Sequence, residues 1–272
     1  MMFSGPILLF GGPYSNLQAT EALKVEAKRL GIPADHCICT GDVVAYGADP
    51  QATVDLIRDW GVHVILGNCE QSLANDADDC GCGFEEGSAC ESLSEHWYQF
   101  AKSTLNKDSL DWMNGLPPML RFTYAGQNVL VLHGGFDNIN QFVFASTSKT
   151  FKRRQLGAAK ADIIIGGHSG IPFTQGLKDR KIWHNAGTIG LPANDGTTDV
   201  WYSLLQKSDT GATFSHHRLA YDFSKSADRM RAKNLAEGYA QAMEKGLWPS
   251  LDILPHQERK QTGEALILPT PL

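Results

Sequence analysis

Short runs of consecutive apolar residues, each cut off by glycine, alternate with longer stretches in which apolar residues recur every three or four positions. The runs read as buried strands and the stretches as helices. Ile7 to Phe10 is a first strand. Leu17 to Leu30 follows as a helix with Ala19, Leu23, Ala27 and Leu30 on one face, opened by Ser15 in a capping box with Gln18 and closed by Gly31. Ile32 to Cys39 leads into a second strand. Asp49-Pro50 opens another helix, with Asp as N-cap and Pro at the first helical position, and it runs to Trp60 before Gly61 stops it. Val62 to Leu66 is a third strand. This β-α-β-α-β order with short connections predicts a parallel sheet covered by helices.

Between Ser72 and Pro118 the strand pattern lapses. An acidic, glycine-rich loop (75–87) precedes helices over Glu91 to Leu105 and Asp108 to Asn114, and Pro117-Pro118 ends the segment. This segment is expected to form a cap over the strand ends. Leu120 to Tyr124 and Asn128 to Leu132, joined around Gly126, predict a hairpin. Lys149 to Lys160 follows as a helix. Asp162 to Ile165, Lys181 to His184, Val200 to Leu205 and Thr213 to Tyr221 are further strands. Ala227 to Lys245 reads as one terminal helix, and from Pro255 the chain is polar and punctuated by proline. No internal repeat is present. The expected organisation is one α/β domain over 1–210, with 72–118 as a cap-like insertion, and a strand, helix and tail over 211–272 packed on its core.

Composition narrows the partners. A chain of 272 residues, 42% hydrophobic and 20% charged, has ample material for a core. A net charge of -6 without a basic stripe argues against a nucleic-acid polymer as partner. Lys152-Arg153-Arg154 is the densest basic run and is expected on a solvated helix face. No apolar run approaches the roughly 20 residues of a membrane helix. The apolar residues at 7–10 lack a basic leader, so they read as a strand and not a signal peptide. A cytoplasmic location is the resulting expectation, and the six cysteines are then expected as thiols. Cys37 and Cys39 alternate along the second strand and share one face as small core residues. Trp97, Tyr98, Phe142 and Phe144 are expected to fill the core. Gly11-Gly12 fails the spacing of a dinucleotide loop.

Four apolar runs end in a metal-type ligand: Gly41-Asp42, Gly67-Asn68, His133-Gly134 and Gly166-Gly167-His168. Ligands bind beyond the carboxyl ends of strands in open α/β sheets. This ordered series, with Asn185-Ala186-Gly187-Thr188 further on, resembles the calcineurin-like metallophosphoesterases over Ile7 to Leu205, especially their small bacterial branch. The resemblance implies a four-layered α/β/β/α sandwich and hydrolysis of a small phosphate monoester, diester or nucleotide by a metal-activated hydroxide. It makes Asp42 the bridging carboxylate and Asn68, His133 and His168 its partners on an ion. Carboxylate, amide and imidazole donors suit a divalent transition metal such as zinc, manganese or iron. Asn68 would also orient the phosphate.

The chain departs from the family at the other ion. Gly12 and Tyr14 stand where the family carries an Asp-x-His, and Gly170 stands where it carries a second histidine. Cys69 replaces the histidine that follows the motif asparagine. One ion is therefore expected, with two as the alternative. Tyr14 and Asn16 are candidates for contact with substrate, and Cys69 for the missing histidine's part. Cys69, Cys80, Cys82 and Cys90 are candidates for further metal ligation or redox chemistry, although their spacing is not the paired Cys-x-x-Cys of a zinc module. The competing reading is a catalytically degenerate member that binds metal or ligand as a regulatory module. A homo-oligomer is left open.

Overall fold

The computed structural model describes residues 3–209 and 211–268. Strand β1 (Ile7–Phe10), helix α1 (Leu17–Arg29), strand β2 (Cys37–Cys39), helix α2 (Pro50–Trp60) and strand β3 (His63–Val64) follow the predicted order, β3 being shorter than its apolar run. β1, β2 and β3 pair in parallel. Two capping expectations shift. Asn16 rather than Ser15 caps α1, its Oδ1 accepting the Ala19 N–H at 3.1 Å. Asp49 makes no cap bond to α2, because its carboxylate accepts Arg229 Nε at 2.6 Å.

Helices α3 (Asn68–Ala74), α4 (Ala89–Thr104) and α5 (Lys107–Asn114) fill the segment without strands. The hairpin of β4 (Leu120–Tyr124) and β5 (Gln127–Val131) leads through α6 (Lys149–Ala158) to β6 (Ile163–Gly166), β7 (Phe173–Gly176) and β8 (Ile182–Asn185). β9 (Val200–Ser208) pairs antiparallel with β10 (Gly211–Leu219). Thr210, where a boundary was expected, lies outside the described residues. The predicted terminal helix is two, α7 (Phe223–Ala232) and α8 (Glu237–Lys245), parted at Asn234, whose φ of 54° no helix accommodates. A last helix, α9 (His256–Lys260), anchors the polar tail, with Glu258 accepting Ser146 Oγ at 2.6 Å.

The strands form two five-stranded sheets, ordered β10-β9-β1-β2-β3 and β4-β5-β6-β8-β7. Side chains alternate across each strand, and the alternation builds the layers. Ile7, Leu9 and Ile38 of the first sheet meet Val129, Val131, Ile163 and Ile165 of the second in one apolar cluster between the sheets. Leu8, Phe10, Cys37 and Cys39 point the other way, into a cluster shared with Leu23 of α1, Val54 of α2, Trp97 and Tyr98 of α4 and Met113 of α5. Leu130 and Ile164 face α6 through Leu156. The result is the α/β/β/α sandwich. Each fully buried leucine or isoleucine stabilises it by about 1.5–3 kcal/mol.

One surface expectation is overturned. Lys152 is fully buried, and its ammonium donates to the carbonyls of Phe144 and Ala145 at 2.7 and 3.1 Å and to Gln175 Oε1 at 2.7 Å. A lysine inside a basic run is buried here because three acceptors replace its water.

Candidate metal centre

The parallel strands of both sheets end side by side, and the residues just past them converge. β2 ends at Cys39, and the chain then turns through Gly41 (φ 92°) and Asp42 (φ 55°). A Cβ on Gly41 would stand 2.7 Å from the Gly67 nitrogen and 3.0 Å from His133 Nδ1, so glycine is what lets three loops meet. Asp42 in the left-handed region is strained unless its surroundings hold it. They do so through Glu70, which is completely buried. Its Oε2 accepts the N–H groups of Asp42 at 2.7 Å and Gly67 at 3.2 Å, and its Oε1 accepts Val44 N–H at 3.1 Å. Burial and the neighbouring Asp42 push Glu70 up to about 7, against the pull of those N–H donors. The sequence pattern missed this residue. Its only local signal was a glutamate three positions past a helix-opening glycine.

His133 follows β5, and its Nδ1 lies 2.6 Å from the Thr40 carbonyl. That carbonyl only accepts, so Nδ1 carries the proton and Nε2 presents a lone pair. Around Nε2 stand Asn68 Oδ1 at 3.0 Å, His168 Nδ1 at 3.0 Å and Asp42 Oδ2 at 3.2 Å. All four residues are buried. Asn68 is fixed by its amide nitrogen, which donates to the Cys80 carbonyl at 3.0 Å and so turns Oδ1 toward the cluster. His168 follows β6, and the Phe142 ring lies 4.3 Å from its imidazole.

Four donor atoms with lone pairs facing one another are mutually repulsive without a proton or a cation among them. Ligands about 2 Å from a shared ion stand roughly 3 Å apart, which is the spacing found. Asp42, His133 and His168 are the group of histidine, cysteine and acidic residues that could hold an ion among the described residues, and Asn68 adds an amide oxygen. The donors fit a divalent transition metal. Burial disfavours a charged His133, yet the Asp42 carboxylate and the Thr40 carbonyl outweigh it and hold its pKa above the ordinary value. Burial and the charge on His133 push His168 down to about 3.

The other expected site residues are placed differently. Tyr14 lines the cleft above the cluster beside Asp42. Its ring lies over Gly12, where a Cβ would collide with it, and burial and Asp42 push its phenol well up. Asn16, expected at the substrate, is instead buried in structure: it caps α1, and its Nδ2 donates to the Gly190 carbonyl at 3.1 Å. Cys69, expected in the missing histidine's part, supports Asp42 through its backbone N–H (3.1 Å to Oδ1), while its buried thiol lies 3.5 Å from the Asn68 amide nitrogen and is pushed up by burial and Asp42. Cys80 and Cys82 are bonded to each other as a disulfide, which removes both as thiolate ligands. Cys82 still lines the cleft, and its sulfur is 3.4 Å from the Asn68 amide nitrogen. Cys90 stands at the rim, buried and pushed up by burial. Trp97, Tyr98 and Phe144 are core, as expected, whereas Phe142 belongs to the cleft. Gly170 is covered by Trp248, whose indole comes within 3.6 Å of where a Cβ would be.

Two facing α/β sheets with this architecture define the metallophosphoesterase class of fold. The chain belongs to the calcineurin-like phosphoesterase family, whose model matches residues 10–239. An uncharacterised protein of Methanocaldococcus jannaschii is 25% identical over 254 residues, covering 87% of this chain and 96% of that protein. A metallophosphoesterase of Sphaerobacter thermophilus superposes with a TM-score of 0.69 at 18% identity, over 90% of this chain and all of that one. A hypothetical protein of Pyrococcus horikoshii gives a TM-score of 0.74 at 15% identity, over 89% and 99% of the two chains. No helix among the described residues is long and apolar enough to cross a membrane.

Proposed function

We propose that this protein hydrolyses a phosphate ester with one divalent transition-metal ion, zinc, manganese or iron, held by Asp42, Asn68, His133 and His168. A single observation supports the reading most: three donor atoms, each past a different strand end, gather within 3.2 Å of His133 Nε2, itself past a fourth, and Nδ1 of that ring is already committed to a carbonyl. When bound, an ion there polarises a phosphoryl oxygen and lowers the pKa of coordinated water. The chain's own residues set the stage. Glu70 fixes the Asp42 loop, Thr40 fixes the His133 tautomer, and the Cys80 carbonyl turns the Asn68 oxygen inward. Tyr14 is the phenol beside Asp42 in the cleft, placed to donate to a phosphate oxygen. The substrate is a small phosphorylated molecule rather than a nucleic-acid polymer.

The test is elemental analysis of the protein after loading with zinc, manganese or iron, together with phosphate release from a panel of esters. About one ion per chain is expected, with turnover that needs it. Asp42→Asn should lose both. A regulatory module, favoured by the rings that cover Gly12 and Gly170, would hold the ion and turn over no ester. Failure to hold any ion would overturn both readings.

A further inference from the structure

The cleft above the donor cluster has an unusual wall. Tyr14, Tyr46, Phe84, Phe142, Tyr239 and Trp248 all line it, together with Asp42 and His168 at its floor. The rings are held, not loose. Tyr46 packs on Tyr14 and Tyr239 with ring centres 4.9 and 4.6 Å apart, and Phe142 packs on His168. Trp248 is pinned by its backbone N–H to Asn194 Oδ1 at 2.8 Å and by its indole N–H to the Pro192 carbonyl at 2.6 Å. Two of these rings, Tyr14 and Trp248, stand against Gly12 and Gly170, the positions at which the sequence departs from a two-ion site. Space that would suit a second cation is bounded by aromatic faces.

Charge narrows what such a cleft accepts. Among the described residues, no lysine or arginine lines it. With one divalent ion, Asp42 is the anionic ligand and Asn68, His133 and His168 are neutral donors, so the floor carries a net single positive charge. Glu70, behind Asp42, can only add negative charge. A phosphodiester is a monoanion and balances the floor. A phosphomonoester dianion or a polyphosphate leaves excess negative charge in a buried site without a cation to pair it, which disfavours its binding. Flat rings pack on the faces and edges of the wall, an attraction that comes on top of the area buried.

We propose that the substrate is a phosphodiester with at least one flat aromatic arm, its phosphate on the Asp42–His133–His168 floor and its ring along Tyr14 and Trp248. This rests on the ion of the reading above; turnover rests also on its hydrolytic part, and binding does not. The cleft is about 50 Å³ as it stands, room for a few waters. The arm therefore lies along the rim of the cleft, against the fixed face of Trp248.

Binding decides the matter independently of catalysis. Zinc-loaded protein is titrated calorimetrically, in alkaline buffer, with diphenylphosphinate (an inert monoanion with two rings), phenylphosphonate (a dianion with one) and dimethylphosphinate (a monoanion with none). Diphenylphosphinate should bind at least about tenfold more tightly than either of the others. Trp248→Ala should bring it to the dimethylphosphinate level, and Trp248→Phe should keep most of the preference, which separates a lost ring from a misfolded chain. Equal or tighter binding of the dianion, or no advantage for the rings, overturns the proposal. In parallel, kcat/KM on bis(4-nitrophenyl) phosphate should exceed that on 4-nitrophenyl phosphate by about tenfold or more, and a preference for the monoester counts against the proposal. If no ester is turned over, the hydrolytic reading falls while the binding order still decides this one.

Discussion

Glu70 accepts the backbone N–H of Asp42 at 2.7 Å, so one buried carboxylate holds in place the loop that aims another at the candidate metal centre. Neither could keep its position alone. Asp42 has a left-handed backbone that needs support, and Glu70 is buried among three N–H groups that would otherwise lack acceptors. Glu70→Gln keeps the shape but points a donor at one side of that group. The expected cost is about 1–3 kcal/mol of stability from the unsatisfied N–H groups, with metal affinity lowered about 10–100-fold. Chemical denaturation and a competition titration with a chromogenic chelator would measure the two losses.

Gly41→Ala should be more damaging than most surface changes. It puts a Cβ at φ 92° and within 2.8 Å of the Gly67 nitrogen and Cα, so both backbone and packing resist it. A loss of about 2 kcal/mol or more is expected, with reduced metal content in whatever folds. Normal stability and a full metal complement would show that the two loops are not in contact.

Metal removal should be visible as lost stability. An ion that binds the folded chain and not the unfolded one adds about 2.7 kcal/mol at a hundredfold excess over its Kd. Thermal melts with and without zinc or manganese should therefore differ by several degrees for the wild-type chain. The difference should vanish for Asp42→Asn and for His133→Ala.

Acid should unfold the protein through two buried histidines that are not among the four donors. His184 and His216 stack with ring centres 4.8 Å apart between the sheets. Burial pushes His216 down to about 4 from 6.5, opposed by the Asn185 carbonyl, and burial and His216 push His184 well below its ordinary value. The folded pKa lies below the unfolded one, so between these values the unfolded chain binds more protons. The stability contribution is complete above pH 6.5 and is lost as pH falls toward about 4, by about 3 kcal/mol for His216 alone. His216→Gln should flatten melting temperature against pH across that window, and an unchanged slope would place the acid sensitivity elsewhere.

The sequence made most of the strands and the four convergent donors legible because both are local signals. An apolar run that ends in Gly-Asp or Gly-Gly-His announces its own boundary, and the period of two along Ile7 to Phe10 decides which face meets which layer. What failed was non-local. Glu70 acts on residues 28 and 26 positions away, which spacing cannot reveal. Lys152 looked solvated because its acceptors, Phe144, Ala145 and Gln175, come from two other segments. Strand β7 carries Thr174, Gln175 and Gly176 and exists through its pairing with β8, not through its own pattern. Asn16 looked like a site residue by its place after the first strand, but Gly190 and Ala19 claim its side chain.

Trp248, Pro249, Ser250 and Ile253 line the cleft, yet they lie beyond residue 239, where the match to the family model stops. The four strand-end donors thus lie within the stretch that matches the family, whereas part of the wall around the cleft lies outside it. Relatives with the same strand-end donors should diverge in what they cleave. Grafting the 248–253 segment between two of them is expected to carry selectivity along while leaving the ion-handling part intact.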